Sequence, residues 1–232
     1  MQTHEIEQGL PETVSLLDKL RMAIYRGELA PGQRLVESEL AQVYETSRGA
    51  VREALALLQN EGLITRQRNR SAWVRPITID EAIEILEVRG VVEGMCAAKA
   101  AAKASKDDQA VLKALADEMM NAVKNGDVLT DSRVSDQVHA KIREIAGQRT
   151  AAGIIDRLRY QGVRYQFHVS LLPGRLAKGA KEHLDIIDAV ISGDTRTAEQ
   201  LTREHFTAVA HAVRQLEQIN LPHVLPRLSP TR

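Results

Sequence analysis

Aromatic residues make up only 3% of this 232-residue chain. That scarcity argues against an extended sheet, because aromatic side chains favour strands, while the abundant Ala and Leu are strong helix formers. Cysteine is almost absent. The lone Cys96, in "EGMCAAKAAA", cannot form an internal disulfide, so a reducing cytoplasm is the expected compartment and a buried, inert thiol the expected state. No apolar run approaches the roughly 20 residues that cross a bilayer, and the polar, acidic opening "MQTHEIEQGLPETVS" lacks a basic-then-apolar leader pattern. Neither a membrane span nor a targeting segment is expected. With 44% apolar and 27% charged residues, the composition is that of an ordinary globular protein, long enough for one large or two ordinary domains.

Net charge is also lacking, but its distribution is uneven. Residues 1–45 hold four Lys/Arg against eight Asp/Glu, a net of −4; residues 46–75 hold six Arg against two Glu, a net of +4. A local basic patch suffices to attract phosphate even on a neutral chain.

The apolar spacing of Val14, Leu17, Leu20 and Ile24 predicts a helix over 12–27, stopped by Gly27. "LAPGQRL" reads as a turn around Pro31-Gly32. Residues 36–45 read as a short helix with Leu40 and Val43 inward. Ser47 is a good N-cap for a helix over 48–60, ended by Glu61-Gly62. "LITRQRNRSAWVRP" then reads as two short strands about a polar, basic turn, closed by Pro76. Beyond Pro76 only helical patterns occur, over about 79–103, 106–124, 131–146, 149–169, 176–192 and 195–217. Ser105 and Asp108 suggest a capping box and "GDT" at 193–195 a tight connection. Six helices suit an antiparallel bundle. The expected fold is mostly α: three helices and a small β-hairpin over 10–76, an antiparallel helical bundle over 77–218, and a Pro-containing tail over 219–232 expected to be poorly ordered.

On a helical wheel of residues 48–60, Val51, Ala54, Leu55 and Leu58 form a core stripe. Arg48, Gly49, Arg52, Ala56 and Gln59 form the opposite face. Arg48 in the first turn opposes the helix dipole, and Arg52 four residues on repels it. Two cations at that end make sense if their partner is DNA: Arg offers bidentate donors to guanine or phosphate, and small neighbours permit close approach. The ordinary alternative is a surface pair of Arg52 with Glu45 or Glu53. In "TRQRNRSAWVR", Arg66, Arg68 and Arg70 alternate with polar residues and no acid within the segment relieves them, so this wing suits phosphates or a minor groove. Its ordinary alternative is a solvated loop.

Together, "G-E-L-x-P-G-x-R-L", "E-x-E-L-A" and "S-R-x-x-V-R-E-A-L-x-x-L-x-x-E-G-L" resemble the winged helix-turn-helix of GntR-family bacterial transcription regulators, over residues 13–76. The resemblance implies DNA contacts from Arg34, Arg48 and Arg52, with Thr46, Ser47 and Gly49 beside them, and from a wing at Arg68, Asn69, Arg70 and Ser71. Ala50 departs from a common proline and Ser71 from a common glycine.

In the helical part, His139 shares an inward face with Ile142 and Ala146, His183 with Ile186, Ile187 and Val190, and His205 with Leu201 and Val209. One inward histidine is ordinarily a satisfied core residue; three on helices that can be neighbours suggest a divalent metal such as zinc, nickel or manganese. The other histidines, His4, His168, His211 and His223, match no pattern. "E-V-R-x-x-x-E" at Glu87–Glu93, "H-x-x-I-x-x-A" from His183 and "G-D-x-x-x-A" ending at Ala198 resemble the FadR-like branch with its FCD-type effector bundle. That branch implies a metal held by an Asp and three His. His139, His183 and His205 match the histidines, Ser135 stands at the usual Asp position, and Asp136, three residues before His139, is the expected carboxylate ligand. Arg89 is a candidate for an effector carboxylate, with an i,i+4 pair to Glu93 as its alternative.

The resemblance as a whole implies a cytoplasmic, homodimeric repressor that binds a palindromic double-stranded operator, is controlled by a small acidic metabolite and touches no membrane. The alternatives are a metal-dependent enzyme, for which no general base is evident, and a DNA-binding dimer without effector.

Overall fold

In the computed structural model, residues 15–25, 27–66 and 72–218 are described. The chain divides after Pro76 into two compact units. The first contains α1 (Leu16–Tyr25), β1 (Arg34–Leu35), α2 (Glu37–Val43), α3 (Arg48–Asn60), β2 (Ile64–Arg66) and β3 (Ala72–Val74). α1 and α2 both pack on α3. The fully buried Val51, Leu55 and Leu58 of α3 meet Leu20 and Ile24 of α1 and Leu40 of α2 in the core. Ser47 starts α3 by accepting the Ala50 N–H at 3.1 Å. Gly62, at φ +74°, ends it, and Leu63 N–H reaches back to the Leu58 carbonyl at 3.0 Å.

Two expectations for this unit are corrected. The "LAPGQRL" segment is not only a turn: its last two residues form β1, which pairs antiparallel with β3, so the sheet has order β1-β3-β2. Two residues are too few to show a period. Val43 is 72% exposed rather than inward, because α2 has only seven residues and buries Leu40 alone.

The second unit contains α4 (Ile79–Ala101), α5 (Lys106–Asn125), α6 (Val128–Ala146), α7 (Arg149–Ser170), α8 (Arg175–Ile191) and α9 (Thr195–Gln218). Local chemistry fixes their ends. Thr78 caps α4, Ser105 and Asp108 form a complete capping box on α5, and Gly126 and Gly147 close α5 and α6 in left-handed conformations. α6 begins three residues earlier than the apolar pattern suggests because Asp127 caps it, accepting the Thr130 N–H at 3.0 Å.

α4 packs on α6, α7, α8 and, most extensively, α9. It runs antiparallel to α9: Asp80 pairs with Arg214, and Gly94 faces Arg203 and Glu199. Gly90 and Gly94 make this approach possible. A Cβ on Gly90 would lie 3.1 Å from Phe206 Cβ, and one on Gly94 3.2 Å from the Glu199 carbonyl. Among the described residues no helix is long and apolar enough to cross a membrane.

Gly94→Ala should therefore destabilise the helical unit by about 1–2 kcal/mol, the overpacking cost exceeding the gain in helix propensity. Gly153→Ala on α7, where a Cβ would meet nothing within 4 Å, should leave the melting temperature unchanged or raise it. Thermal unfolding of the two variants against the parent checks this, and equal effects would contradict the tight α4–α9 contact.

Candidate functional site

The arginine face is built by α3 and the sheet. Arg48, Gly49, Arg52, Ala56 and Gln59 are all exposed, opposite the buried stripe. Gly49 is open: a Cβ there would meet only Ser47 Oγ, at 3.7 Å. Thr46 lies in the connection from α2 to α3, its N–H donating to the Ala41 carbonyl at 2.9 Å. In the sheet, Arg34 stands opposite Trp73, which in turn stands opposite Thr65, forming one cross-strand row on the outer face. Arg68, Asn69, Arg70 and Ser71 lie outside the described residues.

Arg52 is not paired with Glu45 or Glu53. Its Nη2 lies 3.0 Å from Glu37 of α2, and Arg66 Nη2 lies 3.3 Å from the same carboxylate. An acid distant in sequence thus does relieve one wing arginine. The hydrogen bond from Arg52, followed by the charges around it, holds the Glu37 carboxyl below the usual carboxylate range. Such exposed pairs contribute about 0–1 kcal/mol, so the two guanidiniums are held near each other yet exchange readily onto a stronger anion.

In the helical unit, α6, α8 and α9 bring His139, His183 and His205 together, all buried, with one ligand nitrogen of each within 4.8 Å of the others. The partners on the far side of each ring decide their chemistry. Nδ1 of His205 lies 2.7 Å from Glu182 Oε2, Nδ1 of His183 lies 2.8 Å from the Gly179 carbonyl, and Nδ1 of His139 lies 3.3 Å from Glu93 Oε2. All three partners can only accept, so each Nδ1 carries the proton, and in the neutral ring Nε2 presents a lone pair. Nε2 of His139 and Nε2 of His183 are nevertheless 3.2 Å apart. Two lone pairs at that distance repel unless a cation lies between them. Tetrahedral coordination at about 2.0–2.1 Å per bond places nitrogens roughly 3.3 Å apart, so the His139–His183 pair has the spacing of two ligands of a divalent ion, with the His205 ligand nitrogen within 4.8 Å of both. Burial above all keeps two of them uncharged and ready to coordinate: His183 is pushed well below its ordinary pKa, and His205 to about 4.

Asp136 is not brought to this centre. Its carboxylate pairs with Arg159 of α7 at 3.1 Å and is well exposed. Arg159 of α7 thus takes the carboxylate, and Asp136 is not grouped with the three histidines. The described ligand set is therefore three imidazoles. The carboxylates stand one layer out, where they fix ring orientation and raise ligand basicity.

That outer layer was only partly visible in the sequence. Glu93 accepts Arg89 through Nε at 3.1 Å and Nη2 at 2.7 Å, so the expected i,i+4 pair forms, and it also takes Arg143 Nη1 at 3.3 Å. Arg89 Nη1 is buried without a hydrogen-bond partner among the described residues, and its guanidinium lies 4.7 Å from the centre of the Phe206 ring, itself beside His139 and His205. Glu182 is held by Arg175 through two bonds of 2.7 and 2.9 Å. Asp131, two turns before His139, is buried with Oδ1 unpartnered among the described residues, and its carboxyl is pushed up to about 6 by burial, which Arg175 only partly opposes. The i+4 step from His139 to Arg143 and the position of Glu182 beside His183 were the available signals; Arg175 and Asp131 gave none.

Comparison with known proteins agrees with both halves. Residues 84–208 match the FCD domain and residues 13–74 the gntR family of bacterial regulatory proteins. The chain belongs to the GntR family. It is a transcription regulator with a DNA-binding helix-turn-helix and an FCD effector-binding domain, not an enzyme. An HTH-type transcriptional regulator in an unstable DNA locus of Streptomyces ambofaciens is 30% identical over 199 residues, covering 82% of this chain and 80% of its own. The HTH-type transcriptional repressor RspR of Escherichia coli is 26% identical over 203 residues, covering 87% and 88%. In fold, the chain resembles E. coli McbR/YncC with a TM-score of 0.76 at 21% identity, over 88% of this chain and all of that one.

Two expectations follow for this GntR-family chain. Arg48→Ala and Arg52→Ala should each weaken operator binding by roughly 1–3 kcal/mol if they touch bases; gel-shift titration measures it, and unchanged affinity in both would remove the recognition role from α3. For Asp131, the folded carboxyl titrates higher than the unfolded one, so stability is lost as pH rises from about 4 to about 6. Asp131→Asn removes that loss. Its melting temperature relative to the parent should rise between pH 4 and pH 7.5, by up to about 3 kcal/mol of relative stability; a pH-independent difference would contradict the buried, unpaired charge.

Proposed function

We propose that the chain is a ligand-responsive repressor. In this reading it works as a homodimer on a palindromic operator, and a small carboxylate effector enters the FCD domain near a divalent metal on His139, His183 and His205. The observation that carries the reading is the convergence of three Nε2 lone pairs inside a buried, arginine-rich helical core. When bound, the ion supplies a Lewis-acidic anchor for an anion. The protein's own residues do the rest. Glu93, Glu182 and the Gly179 carbonyl orient the rings, and Arg89, with Nη1 unpartnered, offers a second donor to a carboxylate. Burial by Phe206 and the surrounding helices lowers the local dielectric and strengthens both contacts.

Control of DNA requires differential affinity. The effector shifts the dimer between two arrangements of its DNA-binding heads only as far as it binds one better than the other. Arg34, Arg48 and Arg52 supply the contacts to DNA, with Glu37 holding Arg52 in the free protein. Repression is supported by the likeness to RspR, which is named a repressor.

Protein prepared without chelator or a nickel column should carry about one zinc, nickel or manganese ion per chain by elemental analysis. His183→Ala should lose most of it while remaining folded by circular dichroism. Metal-free parent protein, or stoichiometric metal retained in the variant, would contradict the ligand set.

A further inference from the structure

Asp131 is a carboxylate that the fold buries and leaves unsatisfied. The residue is only 6% exposed, and its Oδ1 has no hydrogen-bond partner among the described residues. The first turn of α6 favours an acid, but Asp127 already caps that helix, and burial still pushes the Asp131 carboxyl up to about 6. A buried acceptor that destabilises the free protein marks a place where a ligand can supply the missing partner.

Its position joins it to the histidine centre. Asp131, Ser135 and His139 are spaced by four residues, so they follow one another along one side of α6, beside the buried Val134 and Val138. Arg175, at the start of α8, ties this residue to the other two histidines. After burial, the charge of Arg175 acts on Asp131, and the same charge is felt by His183 and His205. Arg175 is nevertheless committed elsewhere: both terminal nitrogens donate to Glu182, which itself accepts from His205 Nδ1. The polar core thus holds two unsatisfied groups of opposite sign. Arg89 Nη1 is a donor on a cation, and Asp131 Oδ1 is an acceptor on an anion.

We propose that Asp131 holds the ammonium group of the effector, so that the effector is an amino acid with its amine and its carboxylate at opposite ends. The inference rests on the carboxylate-effector reading above and assigns the second end of that molecule. A hydroxyl would satisfy Oδ1 but leave a buried charge uncompensated, which an ammonium does not. Asp131 and His139 are eight residues apart, about 12 Å along the helix axis. An ordinary α-amino acid, with both groups on one carbon, cannot reach from the histidine centre to Asp131.

The test is isothermal titration calorimetry of the full-length protein with one equivalent of Zn2+. The probes are γ-aminobutyrate, δ-aminovalerate and ε-aminocaproate, the matching butyrate, valerate and caproate, and ε-hydroxycaproate and norleucine. At one or more chain lengths the terminal amine should tighten binding by about 10-fold over the unsubstituted acid. Norleucine should show no such gain over caproate. Asp131→Asn, folded by circular dichroism, should lose the gain and bind the unsubstituted acids as the parent does. Unsubstituted acids bound as tightly as the amino acids at every length would overturn the role of Asp131 and leave the carboxylate reading standing. So would an amine preference that survives in Asp131→Asn. ε-Hydroxycaproate bound as tightly as ε-aminocaproate would overturn the ammonium. Binding of none of these acids would overturn the carboxylate reading and this inference together.

Discussion

Everything proposed for the helical domain depends on which ring nitrogen of each histidine carries the proton. Glu93, Glu182 and the Gly179 carbonyl accept at Nδ1, and that alone turns three Nε2 lone pairs towards one point. Without those acceptors, His139 and His183 could share an ordinary hydrogen bond across their 3.2 Å contact, and the cluster would be a satisfied polar core. With them, the contact between two neutral rings is repulsive and calls for a cation. The carboxylates are held in turn by Arg89 and Arg143 on one side and Arg175 on the other. The geometry of the centre is thus set by buried charge pairs two layers from the bond-forming atoms.

The backbone makes this layering possible. Glycine at 90 and 94 lets α9 close onto α4, bringing Phe206 against Arg89. The same packing forces Val88 and Val91 outward. One helix therefore turns Arg89 and Glu93 inward on one side and two half-exposed valines outward on the other.

Much of this was legible in the sequence because it is local. The 3.6-residue period fixed α3 from Arg48 to Asn60 and placed Val51, Ala54, Leu55 and Leu58 inward, as found. The same period turned His139, His183 and His205 inward, and Ser105 with Asp108 marked a capping box. What escaped was set by partners far along the chain. Asp136 has suitable spacing from His139 for a ligand, yet Arg159 on another helix holds it. Arg52 has two nearby acids, yet Glu37 on α2 takes it, together with Arg66. β1 is visible only through its pairing with β3. Val43 fits an inward pattern, but a seven-residue helix buries too narrow a stripe to include it.

The most direct measurement is the tautomer of the three imidazoles. Long-range proton–nitrogen correlation spectra of uniformly 15N-labelled protein with one equivalent of Zn2+ resolve the two nitrogens of each ring, and single His→Gln variants assign them. The account predicts that His139, His183 and His205 all carry the proton on Nδ1, with all three Nε2 shifts displaced by the metal. A proton on Nε2 of any one of them in the zinc-containing sample would contradict it.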